Sequence, residues 1–264
     1  MPPPDDRSLV LDLRQDVPGP GMHAILIGVS EYEYLPGIED PGEEGLKALK
    51  KLASPALSAF RFEQKLVALN LAGQLPKPLK TVRLLLAPSA YELASEPGIA
   101  NRGAAPTKVN IKTALRAWRQ SMAESSEAVG LFYFGGHGIR RALEESILLA
   151  ADFLDPEEVQ LENCFRLSNV RAGMVPSVTF PDIGRTQFYF VDACRDKPDA
   201  LDTMDDTQTP KIFDAALNTL DDRKAPIYFA TYAGGFAAGN PGEETYFYKA
   251  IDWALDHASS ESAS

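Results

Sequence analysis

The chain has 264 residues with 45% hydrophobic content and no low-complexity break, so one packed globular domain flanked by short ends is expected. A net charge of −11 speaks against a nucleic-acid backbone as the main ligand, because binding phosphates needs clustered Lys and Arg. Two cysteines exclude a disulfide framework, no run approaches the roughly 20 apolar residues of a membrane span, and Met1-Pro-Pro-Pro-Asp-Asp lacks the features of a signal peptide. A reducing cytoplasm, with no membrane partner, is the expected setting.

Residues 1–21 are rich in Pro, Asp and Gly and are predicted to form an arm of low order, with Val10-Leu-Asp-Leu13 as a docking piece. The first strand is expected at 24–29, apolar on both faces as in a parallel sheet covered on both sides. After a loop at 30–41, helical patterning covers 43–52 and 55–71, and a second strand follows at 81–87. A loop at 88–106, punctuated by Pro and Gly, leads to Thr107, the expected cap of a helix ending near Glu124. Val109, Leu115, Trp118 and Met122 are expected on its buried face. Strands are predicted at 128–134, 146–151, 186–192 and 227–232, with a short helix near 168–174 and a closing helix at 245–257.

This alternation predicts an α/β sandwich of three layers, a mostly parallel six-stranded sheet with helices on both faces. In such sheets the site lies beyond the carboxyl ends of the strands. Two apolar, aromatic-rich runs end there in a reactive side chain: Leu131-Phe-Tyr-Phe-Gly-Gly-His-Gly138 in His137, and Gln187-Phe-Tyr-Phe-Val-Asp-Ala-Cys-Arg195 in Cys194. A thiolate attacks carbonyl carbon, and an imidazole in reach can take the thiol proton and return it to the leaving group. Residues two apart in a strand share a face, so Asp192 and Cys194 should look into the same crevice, where a carboxylate suits a basic side chain. The glycines beside His137 leave room for a substrate backbone.

Cys164 sits in a long connection without a motif and reads as a partly buried structural thiol, while His23 and His257 lack a catalytic partner set. The cysteines and histidines offer no zinc spacing, so no metal ligand is assigned. Neither glycine-rich phosphate pattern is present.

These motifs resemble the caspase and metacaspase superfamily of cysteine peptidases, most closely its bacterial members. The resemblance is carried by Ile25-Leu-Ile-Gly-Val-Ser30, Leu35-Pro-Gly-Ile-Glu-Asp40, Tyr133-Phe-Gly-Gly-His-Gly138 and Val191-Asp-Ala-Cys-Arg195. The separation of His137 from Cys194, 57 positions (194 − 137), is close to the roughly 50 typical of caspases. The resemblance implies a caspase-like domain over 22–258 followed by a tail at 259–264, with Cys194 as nucleophile and His137 as general base and acid. The amides of Gly138 and Cys194 would then form the oxyanion hole. As in metacaspases, Asp192 would select Arg or Lys before the scissile bond, with Asp40 as a second acidic candidate or else a helix cap. Glu39 stands where the family usually has Asn, and Gly135 where many metacaspases have Ser.

The resemblance also places an inter-subunit linker at 196–224, with Lys211, Arg223 and Lys224 as candidate self-cleavage points. It implies protein substrates with exposed Arg or Lys, an activating or inhibitory protein partner, and a role in bacterial signalling or defence. No cofactor is required by the sequence. A calcium requirement, common in metacaspases, is left open, since acidic residues abound but no loop of alternating carboxylates occurs. Rival readings are a non-catalytic caspase-homology adapter, a caspase-like protease of other specificity, and another thiol enzyme on a flavodoxin-like sheet, such as a hydrolase of small amides.

Overall fold

The computed structural model describes residues 6–41, 45–140, 145–194, 209–214, 221–231 and 239–261. Its centre is a six-stranded sheet built on β2 (Met22–Val29), which is buried along its whole length. β2 pairs in parallel with β3 (Leu79–Ala87) on one side and β4 (Val129–Gly136) on the other. β4 pairs in parallel with β8 (Thr186–Ala193), and β8 with the short edge strand β9 (Ile227–Phe229). The opposite edge is β1 (Leu9–Asp12), antiparallel to β3, giving the order β1-β3-β2-β4-β8-β9.

Helices cover both faces, as apolar residues at alternate strand positions on either side require. On one face α1 (Pro55–Leu71) and α5 (Tyr246–Glu261) meet Leu26, Leu131, Tyr133 and Phe190. On the other face α3 (Lys108–Met122) and α4 (Leu167–Gly173) share a core with Ile27, Phe132, Phe134, Tyr189 and Val191. The buried Trp118 ties α3 to the sheet by donating its indole N–H to the His23 carbonyl at 2.9 Å. Thr107 caps α3 as expected, its hydroxyl accepting from the Asn110 amide.

The architecture agrees with the expected three-layer α/β sandwich, but several elements are corrected. The arm at 1–21 is not of low order over its described part: β1 pairs with β3, and Arg83 is held by Asp6 and by Ser8. The run at 146–151 belongs to no main-sheet position. It forms β6 (Ser146–Leu149) in a separate antiparallel sheet with β5 (Gly138–Arg140) and β7 (Cys164–Arg166). The sheet still has six strands because β1 takes the vacated place.

The loop at 88–106 contains the short helix α2 (Ala90–Ser95), started by a capping box between Ser89 and Glu92. Where a helix was expected from 43, the described part holds only a 3-10 turn, Gly45–Ala48. Val109 is 70% exposed, and Ile111 and Ala114 take its place on the buried face of α3. Helix α5 runs through the first residues of the expected tail. Among the described residues no helix is long and apolar enough to cross a membrane.

Candidate active site

The register of β4 and β8 brings the two reactive strand tips together. Gly135 pairs with Asp192 and Gly136 with Ala193, so the chain presents His137 and Cys194 one position beyond the last pair. Adjacent strands lie about 4.8 Å apart, which puts both side chains at one edge of the sheet. Gly138 closes the junction: a Cβ there would stand 2.7 Å from the Cys194 carbonyl oxygen and 2.9 Å from the Ala193 methyl. The backbones of Gly138 and Cys194, whose amides were expected to form the oxyanion hole, are therefore in contact.

Two neighbours fix His137. Its amide donates to the buried Tyr32 hydroxyl at 2.7 Å, and the two rings sit 5.0 Å apart. The ring Nε2 meets the Lys50 carbonyl at 2.6 Å. A carbonyl can only accept, so Nε2 carries the proton and Nδ1 is the basic nitrogen. The Lys50 carbonyl is itself held, because the Lys51 amide donates to Pro36 and the Leu52 amide to Ser30, at the end of β2. Burial pushes the imidazole down to about 4, so near neutral pH it rests neutral with Nδ1 unprotonated. Gly136, at φ +155, has no room for a side chain, since a Cβ would stand 2.8 Å from the Tyr32 hydroxyl.

Asp192 and Cys194 both line a cavity of about 370 Å³ at this edge. The N-terminal end of α1 forms one wall, with Leu52, Ala53, Ser54 and Pro55, and Ile38 and Pro241 approach from flanking loops. The loop before α5 is pinned to that wall, the Gly242 amide donating to Ala53 O and the Ser54 hydroxyl to Asn240 O. Lys51 also lines the cavity, but its ammonium is ion-paired with Glu31.

Asp192 is 2% exposed. Its Oδ2 accepts from the Tyr133 hydroxyl at 2.9 Å and from the Thr245 hydroxyl, whereas Oδ1 is buried with no hydrogen-bond partner among the described residues. Burial raises this carboxyl to about 6 against the pull of the two hydroxyls. An acceptor held buried and unsatisfied costs folding free energy, and a cationic ligand in the cavity would relieve it.

The remaining candidates lie elsewhere. Asp40 does not line the cavity: its Oδ2 accepts from the Gly37 amide at 2.5 Å and closes the turn, and Ile38 is the side chain this loop contributes to the wall. Lys211 is exposed, but the buried Ile212 and Phe213 that follow it are docked, both amides donating to Asn169 Oδ1. The Arg223 side chain is only 2% exposed. It pairs with Asp221 and donates to the Arg171 carbonyl and the Gln187 side chain, so it would have to leave these partners to be cut. Lys224 pairs its backbone with Arg185 and keeps an exposed side chain. The rest of the expected linker, 196–208 and 215–220, lies outside the described residues, as does Arg195.

Cys164 is fully buried, and burial pushes its thiol well above the usual cysteine range. Cys194 is partly exposed. His23 is buried against the Thr81 hydroxyl, and His257 stacks on Trp253. Among the described residues no group of three His, Cys, Asp or Glu could hold a metal ion.

Two participants were missed in the sequence, Tyr133 and Thr245. Tyr133 precedes Gly135 by two positions on one strand, so alternation puts it on the face of Asp192, and the strand register would have exposed it. Thr245 caps α5 by accepting from the Tyr248 amide, and no local signal ties it to Asp192, 53 positions earlier.

A thiol and a neutral imidazole at neighbouring strand tips, over an acidic hollow on a doubly covered α/β sheet, is the equipment of a thiol-dependent hydrolase. Comparison with known proteins narrows this class. The caspase domain model matches residues 23–263, and the chain belongs to the caspase family of cysteine peptidases. The chain is also similar to an uncharacterized protein, y4kE, from Sinorhizobium fredii (strain NBRC 101917 / NGR234), 30% identical over 155 residues. That match covers 57% of this chain and 42% of the relative, so the chain spans less than half of the relative's length.

Proposed function

We propose that this protein is an endopeptidase that cuts proteins after Arg or Lys, with Cys194 as nucleophile and His137 as general base and acid. The Cys194 thiol gives its proton to Nδ1 of His137, and the sulfur bonds to the carbonyl carbon before the scissile bond. The electron pair of the carbonyl moves to oxygen, where the amides of Gly138 and Cys194 can meet it. His137 then protonates the leaving amine as the C–N bond breaks, leaving a thioester. Water, deprotonated by His137, releases the new carboxyl end and restores the thiol.

The observation that carries the specificity is the Asp192 carboxylate, buried at the cavity shared with Cys194, with one oxygen left without a partner among the described residues. The apolar walls fit the methylene stem of Arg or Lys, and the carboxylate fits its charge. We place the enzyme in a bacterial signalling or defence setting, where a protein partner or a cut in the linker would switch it on, and calcium is a further candidate trigger.

The test is cleavage by the full chain of fluorogenic peptides ending in Arg, Lys or Asp, with and without calcium. Cleavage after Arg and Lys that is lost in Cys194→Ala supports the reading. Cleavage after Asp removes the role given to Asp192, and no cleavage under any condition favours a non-catalytic adapter. Linker cuts that persist in purified Cys194→Ala, with no protease added, rule out self-processing.

A further inference from the structure

We infer that Tyr133 and Thr245 are positioning residues that saturate one oxygen of Asp192 and leave the other as the single acceptor for a substrate's charge, and that the pocket so built favours lysine over arginine. This rests on the reading of Asp192 as the acidic residue of the substrate pocket.

A carboxylate oxygen accepts through two lone-pair directions. On Asp192 Oδ2 both are occupied, by the Tyr133 and Thr245 hydroxyls, and among the described residues only Oδ1 is left without a partner. Neither hydroxyl is loosely placed. Tyr133 is fully buried at the centre of the α1 face, its ring edge-on to Phe62 at 5.5 Å. Thr245 is pinned from both sides, its amide donating to the Ser58 hydroxyl at 2.9 Å and its own hydroxyl capping α5. Gly135 makes room for this arrangement, since a Cβ there would come within 3.1 Å of the Tyr133 hydroxyl.

Arginine recognises a carboxylate best through two parallel bonds, one to each oxygen. With Oδ2 saturated that fork has a single tine to use. Beyond the single acceptor of the Ser54 hydroxyl, its other N–H groups would meet the apolar walls of Ile38, Leu52, Ala53, Pro55 and Pro241, where a buried donor without a partner is costly. Lysine presents a compact charge with three donors. One reaches Oδ1, and the Ser54 hydroxyl, whose O–H donates to Asn240 O while its oxygen can still accept, lines the same cavity. Lys51, already paired with Glu31, does not compete for Oδ1.

The experiment compares kcat/KM of the full chain on two peptides that differ only in Lys or Arg before the cut. The expected result is a preference for Lys of about five- to tenfold. In Tyr133→Phe, Oδ2 regains an accepting direction, and the ratio should move toward one or invert. Thr245→Val should act likewise, while Thr245→Ser, which keeps the hydroxyl, should hold the wild-type ratio.

Equal cleavage, or an Arg preference, in the wild type overturns the inference while leaving cleavage after basic residues intact. Preference for an uncharged or acidic residue overturns the underlying reading as well. Variants that lose activity but keep the wild-type ratio overturn the positioning role, and the wild-type ratio decides the selectivity if a variant does not fold.

Discussion

The protein buries two carboxylates near the carboxyl edge of its sheet and treats them oppositely. Glu92, fully buried at the start of α2, has both oxygens met. Oε1 accepts from the Ser30 hydroxyl and the Leu57 amide, and Oε2 from the Ser89 amide and hydroxyl. Asp192 has one oxygen met twice and the other left without a described partner. Burial raises both carboxyls above their ordinary range. The completed shell of Glu92 joins β2, α1 and α2 and leaves nothing for a ligand, whereas the incomplete shell of Asp192 lies at a cavity that also holds a thiol. A buried charge with a vacant oxygen marks binding, and one fully enclosed marks architecture.

The contrast breaks most visibly if each residue is removed. Asp192→Ala should lower kcat/KM on Lys or Arg peptides by about 2–5 kcal/mol in transition-state stabilisation, tens- to thousands-fold, without unfolding the chain. An unchanged preference in steady-state assays would sink the distinction. Glu92→Ala should do the reverse. It strands four donors and should lower the unfolding free energy in denaturant titrations by roughly 3 kcal/mol, while the residual folded enzyme keeps its specificity.

A finer version keeps the shape and removes the charge. The Asp192 carboxyl stands near 6 in the fold against an ordinary 3.8, so between those values the folded state holds more protons than the unfolded. The stability of its neutral form is complete below 3.8 and is lost as pH rises through 6. Asp192→Asn is therefore expected to be more stable than wild type at pH 7 by about 1–3 kcal/mol, with the gap closing toward pH 4. A constant gap across that range in pH-dependent unfolding would contradict the assignment.

The smallest effect is kinetic. kcat/KM on a Lys peptide should fall about tenfold per pH unit below 6 as Asp192 is neutralised, while His137, held near 4 by burial, stays able to act as base. An acid limb only near 4 would detach Asp192 from substrate binding.

These contrasts were unevenly legible in the sequence. His137, Cys194 and Asp192 could be found because each ends an apolar strand-like run, and a strand fixes which residues share a face. The sheet membership of residues 146–149 could not, since an apolar run reads alike whether its partners are parallel and central or antiparallel and peripheral. β1 was legible only as a docking piece at 10–13 and not as a strand, because it is short and lies in Pro- and Asp-rich surroundings, and as an edge strand it needs only one partner. Glu92 carried a local signal in Ser89-Ala-Tyr-Glu92, a capping box inside a stretch that otherwise reads as loop. Tyr133 and Thr245 had no such signal, because their roles arise from strand register and from a chain return far along the sequence. Asp40 was misleading for a related reason: a short acidic side chain after glycine can close its own turn as readily as face a pocket.

The most direct test of the central claim is covalent trapping. A peptide chloromethyl ketone ending in Lys, incubated with the full chain and followed by mass spectrometry of the digested protein, should add one peptide mass to Cys194. It should add none to Cys164, and the matched reagent ending in Asp should leave Cys194 unlabelled. Labelling of Cys164, no labelling at all, or equal labelling by the Asp reagent would contradict a thiol at Cys194 working over a pocket for basic side chains.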